Sequence, residues 1–255
     1  MKITTQSIPK CLLFSGVFFA LAAPGGAETI YATSNGQINK NSWEDSFRQV
    51  YLDNSPRLGS SNLNVDGTNR PVWAIVVFAF RLPDLGEISA PFSSATFSVG
   101  FSSYANASGL FNADLYSLGV SDTVSFSNAM YYLGENDTSP GVTKVADNFL
   151  DATVTYTAGQ TVALTSGTLA ACLNEAYAGG ANAGKYVIFR LNPESVSSAP
   201  RGYNLYGITA EDENLRPLIS YTLVPEPSAV AMVLGATSIA CMAGVRFVGG
   251  CFRRD

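Results

Sequence analysis

Ten residues, 73–82 (WAIVVFAFRL), constrain the fold more than any other part of the chain. They are β-branched, aromatic or otherwise apolar at almost every position, and Pro71 and Pro83 fence them on either side. Successive side chains of a strand point to opposite faces, so an unbroken apolar run asks for cover on both. A strand buried on both faces, central in a sandwich, satisfies that demand, with Trp73 in the core.

The flanking sequence supplies partners. Residues 95–101 (ATFSVGF) alternate, with Phe97, Val99 and Phe101 on one side and Thr96 and Ser98 on the other. Shorter candidates follow at 113–118, 130–133, 143–145, 152–157 and 161–164, separated by Gly, Ser, Asn and Asp. Residues 31–66 are rich in Asn and Ser and read as an irregular entry with one or two edge strands. Gly100, Gly109 and Gly119 read as turn residues. Leu169, Cys172, Leu173 and Ala176 fall at helical spacing between Ser166-Gly167 and Gly179-Gly180, which predicts one short helix over 168–178. Strands at 186–191, 203–208 and 217–223 complete a mainly β fold, a single sandwich.

The two ends carry different information. Lys2 and Lys10 precede or open a short apolar run at 11–23, too short to span a bilayer and followed by Pro24-Gly25-Gly26-Ala27. That order predicts a signal helix removed by signal peptidase after Ala27. Cys11 follows Ile-Pro-Lys rather than a small-residue lipobox, which argues against a lipid anchor. At the other end, Pro225-Glu226-Pro227 precedes an uncharged stretch at 228–245, and Arg246, Arg253 and Arg254 follow. Eighteen helical residues span roughly 27 Å, the thickness of the hydrocarbon layer. The arginines belong on the cytoplasmic side, which places residues 28–224 outside, as the signal segment also does. The expected organisation is a signal peptide over 1–27, an ectodomain over 28–224 and a tail over 225–255 with a transmembrane helix at 228–245.

Composition narrows the chemistry. The ectodomain holds 18 acidic and 10 basic residues over a length sufficient for one real core. An acidic surface with no basic stripe argues against nucleic acid as a partner and against docking on anionic lipid. Cys172 is the one cysteine between residues 28 and 224, so the domain has no internal disulfide and stands on its hydrophobic core. The chain has no histidine, which removes the usual nucleophile triads and nearly all zinc sites. Carboxylate pairs and oxygen-ligand calcium sites remain open. No acid stands in a distinctive catalytic motif, and a non-catalytic domain is expected. Glu211, Asp212 and Glu213 form an acidic loop that could offer oxygens to calcium, and Glu135-Asn136-Asp137 forms a second. Rings able to stack on sugars are Trp43, Tyr51, Tyr104, Tyr131, Tyr132, Tyr203 and Tyr206.

Residues 224–255, with Pro225-Glu226-Pro227, one apolar helix and the Arg253-Arg254 cluster in that order, resemble the PEP-CTERM sorting signal. The resemblance implies processing near the triplet by an exosortase, a membrane cysteine protease. An ordinary single-span anchor on a proline-rich stalk would give the same location. Residues 58–97 and the closing Leu215-Arg216-Pro217-Leu218 strand resemble DNRLRE-type domains, jelly-roll sandwiches related to carbohydrate-binding modules. Two functions follow as expectations: a structural or adhesive protein of the cell surface or extracellular polysaccharide matrix, or a carbohydrate-binding module presented there. Exposed rings lining one groove would favour the second, and a desolvated carboxylate pair in a cleft would favour a hydrolase.

Overall fold

The computed structural model describes residues 26–44, 46–50, 55–107, 110–195 and 200–224. Most of the signal segment, the sorting triplet, the expected spanning helix at 228–245 and Tyr51 lie outside these residues. Among the described residues no helix is long and apolar enough to cross a membrane. The strands are β1 (Glu28–Asn41), β2 (Phe47–Val50), β3 (Arg57–Val65), β4 (Thr68–Arg81), β5 (Phe92–Ala107), β6 (Ala113–Ser121), β7 (Thr143–Leu150), β8 (Gln160–Thr165), β9 (Tyr186–Pro193), β10 (Arg201–Leu205) and β11 (Leu218–Leu223). The helix α1 (Gly167–Tyr177) lies between β8 and β9.

The fold is mainly β, antiparallel and sandwich-like, and β4 is its central strand. Val76, Phe78 and Phe80 point into the main core, whereas Ile75, Val77 and Ala79 belong to a second, smaller core on the outer face. One edge of β4 pairs with β1 along residues 72–80. The other edge pairs first with β3 and then with β9, and β9 continues to β6 and β7. Across the main core lies β5, with β8 on one edge and β11 and β10 end to end on the other. Two strands join the layers. β1 pairs with β11 over its first four residues and crosses to β4 at an irregularity between Ala32 and Ser34. β3 likewise pairs with β10 at its start and with β4 thereafter. β1, β11, β5, β10, β3 and β4 therefore close a ring.

Phe97 occupies the middle of the main core, with ring centroids 5.3–6.0 Å from those of Phe78, Phe80, Phe149 and Phe189. The outer core is covered by Phe126, with Phe47, Met130 and Tyr131 partly buried against it. Cover from the chain between β6 and β7 is thus what lets β4 be apolar on both faces. α1 packs on β5, β6 and β7. Its start is capped by the Ser166 hydroxyl, which accepts from the amides of Thr168 and Leu169. Its Asn174 side chain both donates to and accepts from the backbone of Phe92, at 2.9 Å each, and so fixes the start of β5.

Several expectations are corrected. Residues 130–133 are not a strand: the amides of Met130 and Tyr131 close a tight turn, and the Met130 carbonyl is taken by Arg190. Residues 152–157 are not a strand either. The Asp151 carboxylate draws in the Thr153 amide and hydroxyl at 2.7 Å, and the Tyr156 amide donates to the Tyr104 hydroxyl. In the described part of the entry β1 is interior rather than an edge, with β2 on one side of residues 37–40 and β4 on the other. Trp73 is half-buried and shares the outer face with Ile75, outside both core clusters.

Gly100 sits within β5 and not in a turn. A Cβ there would lie 2.7 Å from the Leu215 carbonyl oxygen and 2.8 Å from the Leu215 Cβ. The obstacle includes backbone, which cannot swing away. Gly100→Ala is expected to lower unfolding free energy by about 1–3 kcal/mol, the cost of overpacking, measured by denaturant titration.

Candidate functional site

Val187, Phe189 and Leu191 of β9 belong to the main core, so the alternation turns Ile188, Arg190 and Asn192 to the outer face. On β6, Ala113 and Leu115 face inward and Asp114 and Tyr116 outward, with Asp114 opposite Asn192 and Tyr116 opposite Arg190. The four polar ones, Asp114, Tyr116, Arg190 and Asn192, are at most 1 % exposed. A polar strip buried this completely is costly unless each group is partnered.

The chain at 130–137 supplies most of the partners. Arg190 donates to the Met130 carbonyl at 2.8 Å and meets the Asp137 carboxylate at 2.6 Å, with both side chains 2 % exposed. Its guanidinium lies 5.0 Å from the Tyr116 ring centroid and 5.5 Å from that of Tyr132. The Tyr116 hydroxyl donates to the Glu135 carbonyl, and the Asn192 amide donates to the Gly134 carbonyl at 2.6 Å. Four successive points thus strap this segment to the sheet. Burial pushes the Asp137 pKa up, but hydrogen bonds from Ser139 and Arg190, with the guanidinium charge, outweigh it and hold the group below the usual carboxylate range.

Beyond Asn192, carboxylate oxygens of Asp114, Asp147 and Glu194 lie within 4.8 Å of one another. Asp114 accepts from the Asn148 amide at 2.9 Å. The Lys144 ammonium lies 2.8 Å from Asp114 and 2.9 Å from Asp147. Burial works against the Lys144 charge, yet the two aspartates outweigh it and raise the Lys144 pKa. Burial pushes the Glu194 carboxyl up; a hydrogen bond from Asn112 opposes this, and the Asp114 and Asp147 charges reinforce it. Asn148 holds a left-handed backbone, φ 53°, an uncommon conformation for a residue with a side chain.

The residues singled out in the sequence fall elsewhere. Glu211, Asp212 and Glu213 are exposed, and Asp212 caps a short turn by accepting from the backbone and side chain of Asn214. Glu213 pairs with Arg216 at 3.2 Å. Tyr203 is fully buried and exchanges hydrogen bonds with the backbone of Phe111. Tyr104 accepts from the Tyr156 amide, Tyr131 packs edge-on against Phe47, and Tyr132 lies on Arg190. Trp43 stacks on Arg70, and Tyr206 is half-buried.

No protein-family model and no curated protein matches this chain.

Asp114, Asn192, Arg190 and Glu194 were not picked out by sequence reasoning. For all but Asp114 the signal is Arg190-Leu191-Asn192-Pro193-Glu194, in which polar residues recur at every second place at the end of an apolar strand. A cavity of about 270 Å³ is lined by Ser117, Gly119, Thr143, Cys172 and Glu175. Burial pushes the Cys172 thiol up, with the Glu175 charge adding to it, so the sulfur is protonated at neutral pH and a poor nucleophile.

Proposed function

We propose that residues 28–224 are a non-catalytic, structural or adhesive module, a jelly-roll-like sandwich displayed at the cell surface or in an extracellular matrix. In this reading signal peptidase releases the chain after Ala27. An exosortase then processes the tail near Pro225-Glu226-Pro227, upstream of the arginines at 253 and 254. The observation that carries the reading for the domain is where the aromatic rings go. The six described rings that could have stacked on a sugar are each buried or half-buried, and five make a hydrogen bond or ring contact within the domain. A sugar platform needs rings free to face solvent.

The carboxylates point the same way. Asp114 is fully buried and Glu194 half-buried, and an oxygen of one lies within 4.8 Å of an oxygen of the other. Glycosidases hold the carboxyl groups about 5–10 Å apart so that the scissile bond fits between them. Neither the 270 Å³ cavity nor one of about 300 Å³ beside Arg81, Pro83 and Gly184 is lined by this pair. The domain also begins and ends at one place, because Glu28 pairs with Tyr221 and the Tyr221 hydroxyl donates to the Glu28 carboxylate at 2.7 Å. That suits a module carried on a single stalk.

The test is intact mass and cell fractionation of the native protein beside a variant with residues 225–227 changed to alanine. The native chain is expected to begin at Glu28 and to lack its tail, while the variant keeps it. If both keep the tail and stay with the membrane, exosortase processing is refuted and the triplet is only a stalk.

A further inference from the structure

We propose that Asp114, Asp147 and Glu194, together with the side-chain oxygens of Asn192 and Asn148, form a calcium site where β6, β7 and β9 meet.

The charge balance is the first reason. Three carboxylates converge within 4.8 Å, and among the described residues the one ammonium in contact with them is Lys144, which meets Asp114 and Asp147. Asp114 is fully buried, so water does little to screen its share of the negative charge. Three carboxylates against one ammonium leave an excess of two negative charges, which a divalent cation cancels.

The second reason is independent of the acids. Asn192 is 0 % exposed, and its Oδ1 has no hydrogen-bond donor. Its amide nitrogen is committed to the Gly134 carbonyl, which fixes which end is oxygen. The residue stands directly opposite Asp114, and Glu194 follows two places later, just past the end of β9. The Asn148 Oδ1 is also buried without a donor, while its backbone amide holds Asp114 and its side-chain nitrogen reaches Asp147 at 3.4 Å. Two buried acceptor oxygens without donors, on residues that neighbour the three acids, are what a cation binds and what a hydrophobic or hydrogen-bonded core avoids.

The donor set selects the ion. All five side chains offer hard oxygens and none offers nitrogen or sulfur, which suits calcium with its 6–8 oxygen ligands at 2.3–2.6 Å and disfavours zinc. Lys144 does not close the site. Its side chain is 27 % exposed, and Asp147, to which it can remain paired, is 60 % exposed. An entering ion displaces the ammonium outward, so Lys144 acts as a competitor. Through Asn192 and Gly134 the ion also ties the strap at 130–137 more tightly to the sheet.

Calorimetric titration of the full-length chain, stripped with chelator and then given calcium chloride, tests this. One ion per chain is expected, with a dissociation constant of about 10⁻⁴–10⁻³ M, as in extracellular modules. Glu194→Gln keeps size and hydrogen bonding but removes charge, and is expected to weaken binding at least tenfold. Lys144→Met is expected to tighten it several-fold, an effect that a purely structural lysine would not produce. Circular dichroism of each variant establishes that it is folded. The proposal is overturned if neither the native chain nor Lys144→Met takes up calcium at about 10 mM, well above that affinity range. Binding by Glu194→Gln as tight as native overturns it equally.

Discussion

Replacing Arg190 with alanine should lower unfolding free energy by about 3–5 kcal/mol, the cost of leaving a buried charge without its partner. The loss is not confined to one ion pair. Arg190 reaches Asp137 and the Met130 carbonyl, and it lies against the rings of Tyr116 and Tyr132. Without it, the strap at 130–137 loses its largest anchor, and with it goes part of the cover over Ile75, Val77 and Ala79. Chemical denaturation measures the total, and hydrogen exchange locates it: amides of 126–137 should lose protection before those of β5. A paired change, Arg190→Met with Asp137→Leu, should recover most of the stability, because two apolar side chains leave no orphaned charge. If the single and paired variants are equally unstable, the anchoring is steric and not ionic. Acid should act through the same pair. The folded state holds the Asp137 pKa below its ordinary 3.8, so this carboxylate favours folding above that value and loses its contribution as pH falls through the depressed one. The advantage of the native chain over Asp137→Asn should therefore be flat through neutral pH and shrink only in strong acid.

Phe97→Ala should cost a similar amount, about 3–5 kcal/mol, for a different reason. The Phe97 ring is fully buried, and its neighbours Phe78, Phe80, Phe149 and Phe189 come from β4, β7 and β9 across the core. Neighbours held on three separate strands cannot collapse into the space left behind. An exposed ring such as Tyr31, 42 % accessible, should change stability by less than about 0.5 kcal/mol on truncation. Thermal melting of the two variants side by side gives the comparison. Near-equal losses would mean that the ring at 97 is not where the layers are joined.

What could be read in advance follows the strength of apolar patterning. β4 was legible because its run is apolar on both faces, and α1 because Leu169, Cys172, Leu173 and Ala176 repeat with helical spacing before a glycine pair. β1 was not, because its buried stretch is Asn35-Gly36-Gln37-Ile38. Asn35 accepts from the Ile208 amide and Gln37 from the Arg57 amide, so these side chains are satisfied by backbone from distant segments. Hydrophobicity does not register such burial. The candidate site was hidden for the same reason. Asp114 and Glu194 are 80 positions apart in sequence and meet only through the β6–β9 ladder, whereas Glu211, Asp212 and Glu213 are adjacent, conspicuous and occupied with a local turn.

The closed ring of strands has a consequence for how the protein is made. The Glu28–Tyr221 contact links positions 193 residues apart, and it joins the first strand to the last. A chain delivered from its amino end presents β1 early but β11 only after nearly the whole domain has emerged. Until then the leading residues of β1 and the matching edge of β5 wait unpaired, with no local substitute in the sequence. Long-range pairing of this kind makes folding slow, since loop closure must precede any reward. In the exported chain proposed above, slow closure suits a polypeptide that is threaded before it folds. The ring of strands stays open until the final one has arrived, so the last residues of the domain, and not the first, complete it.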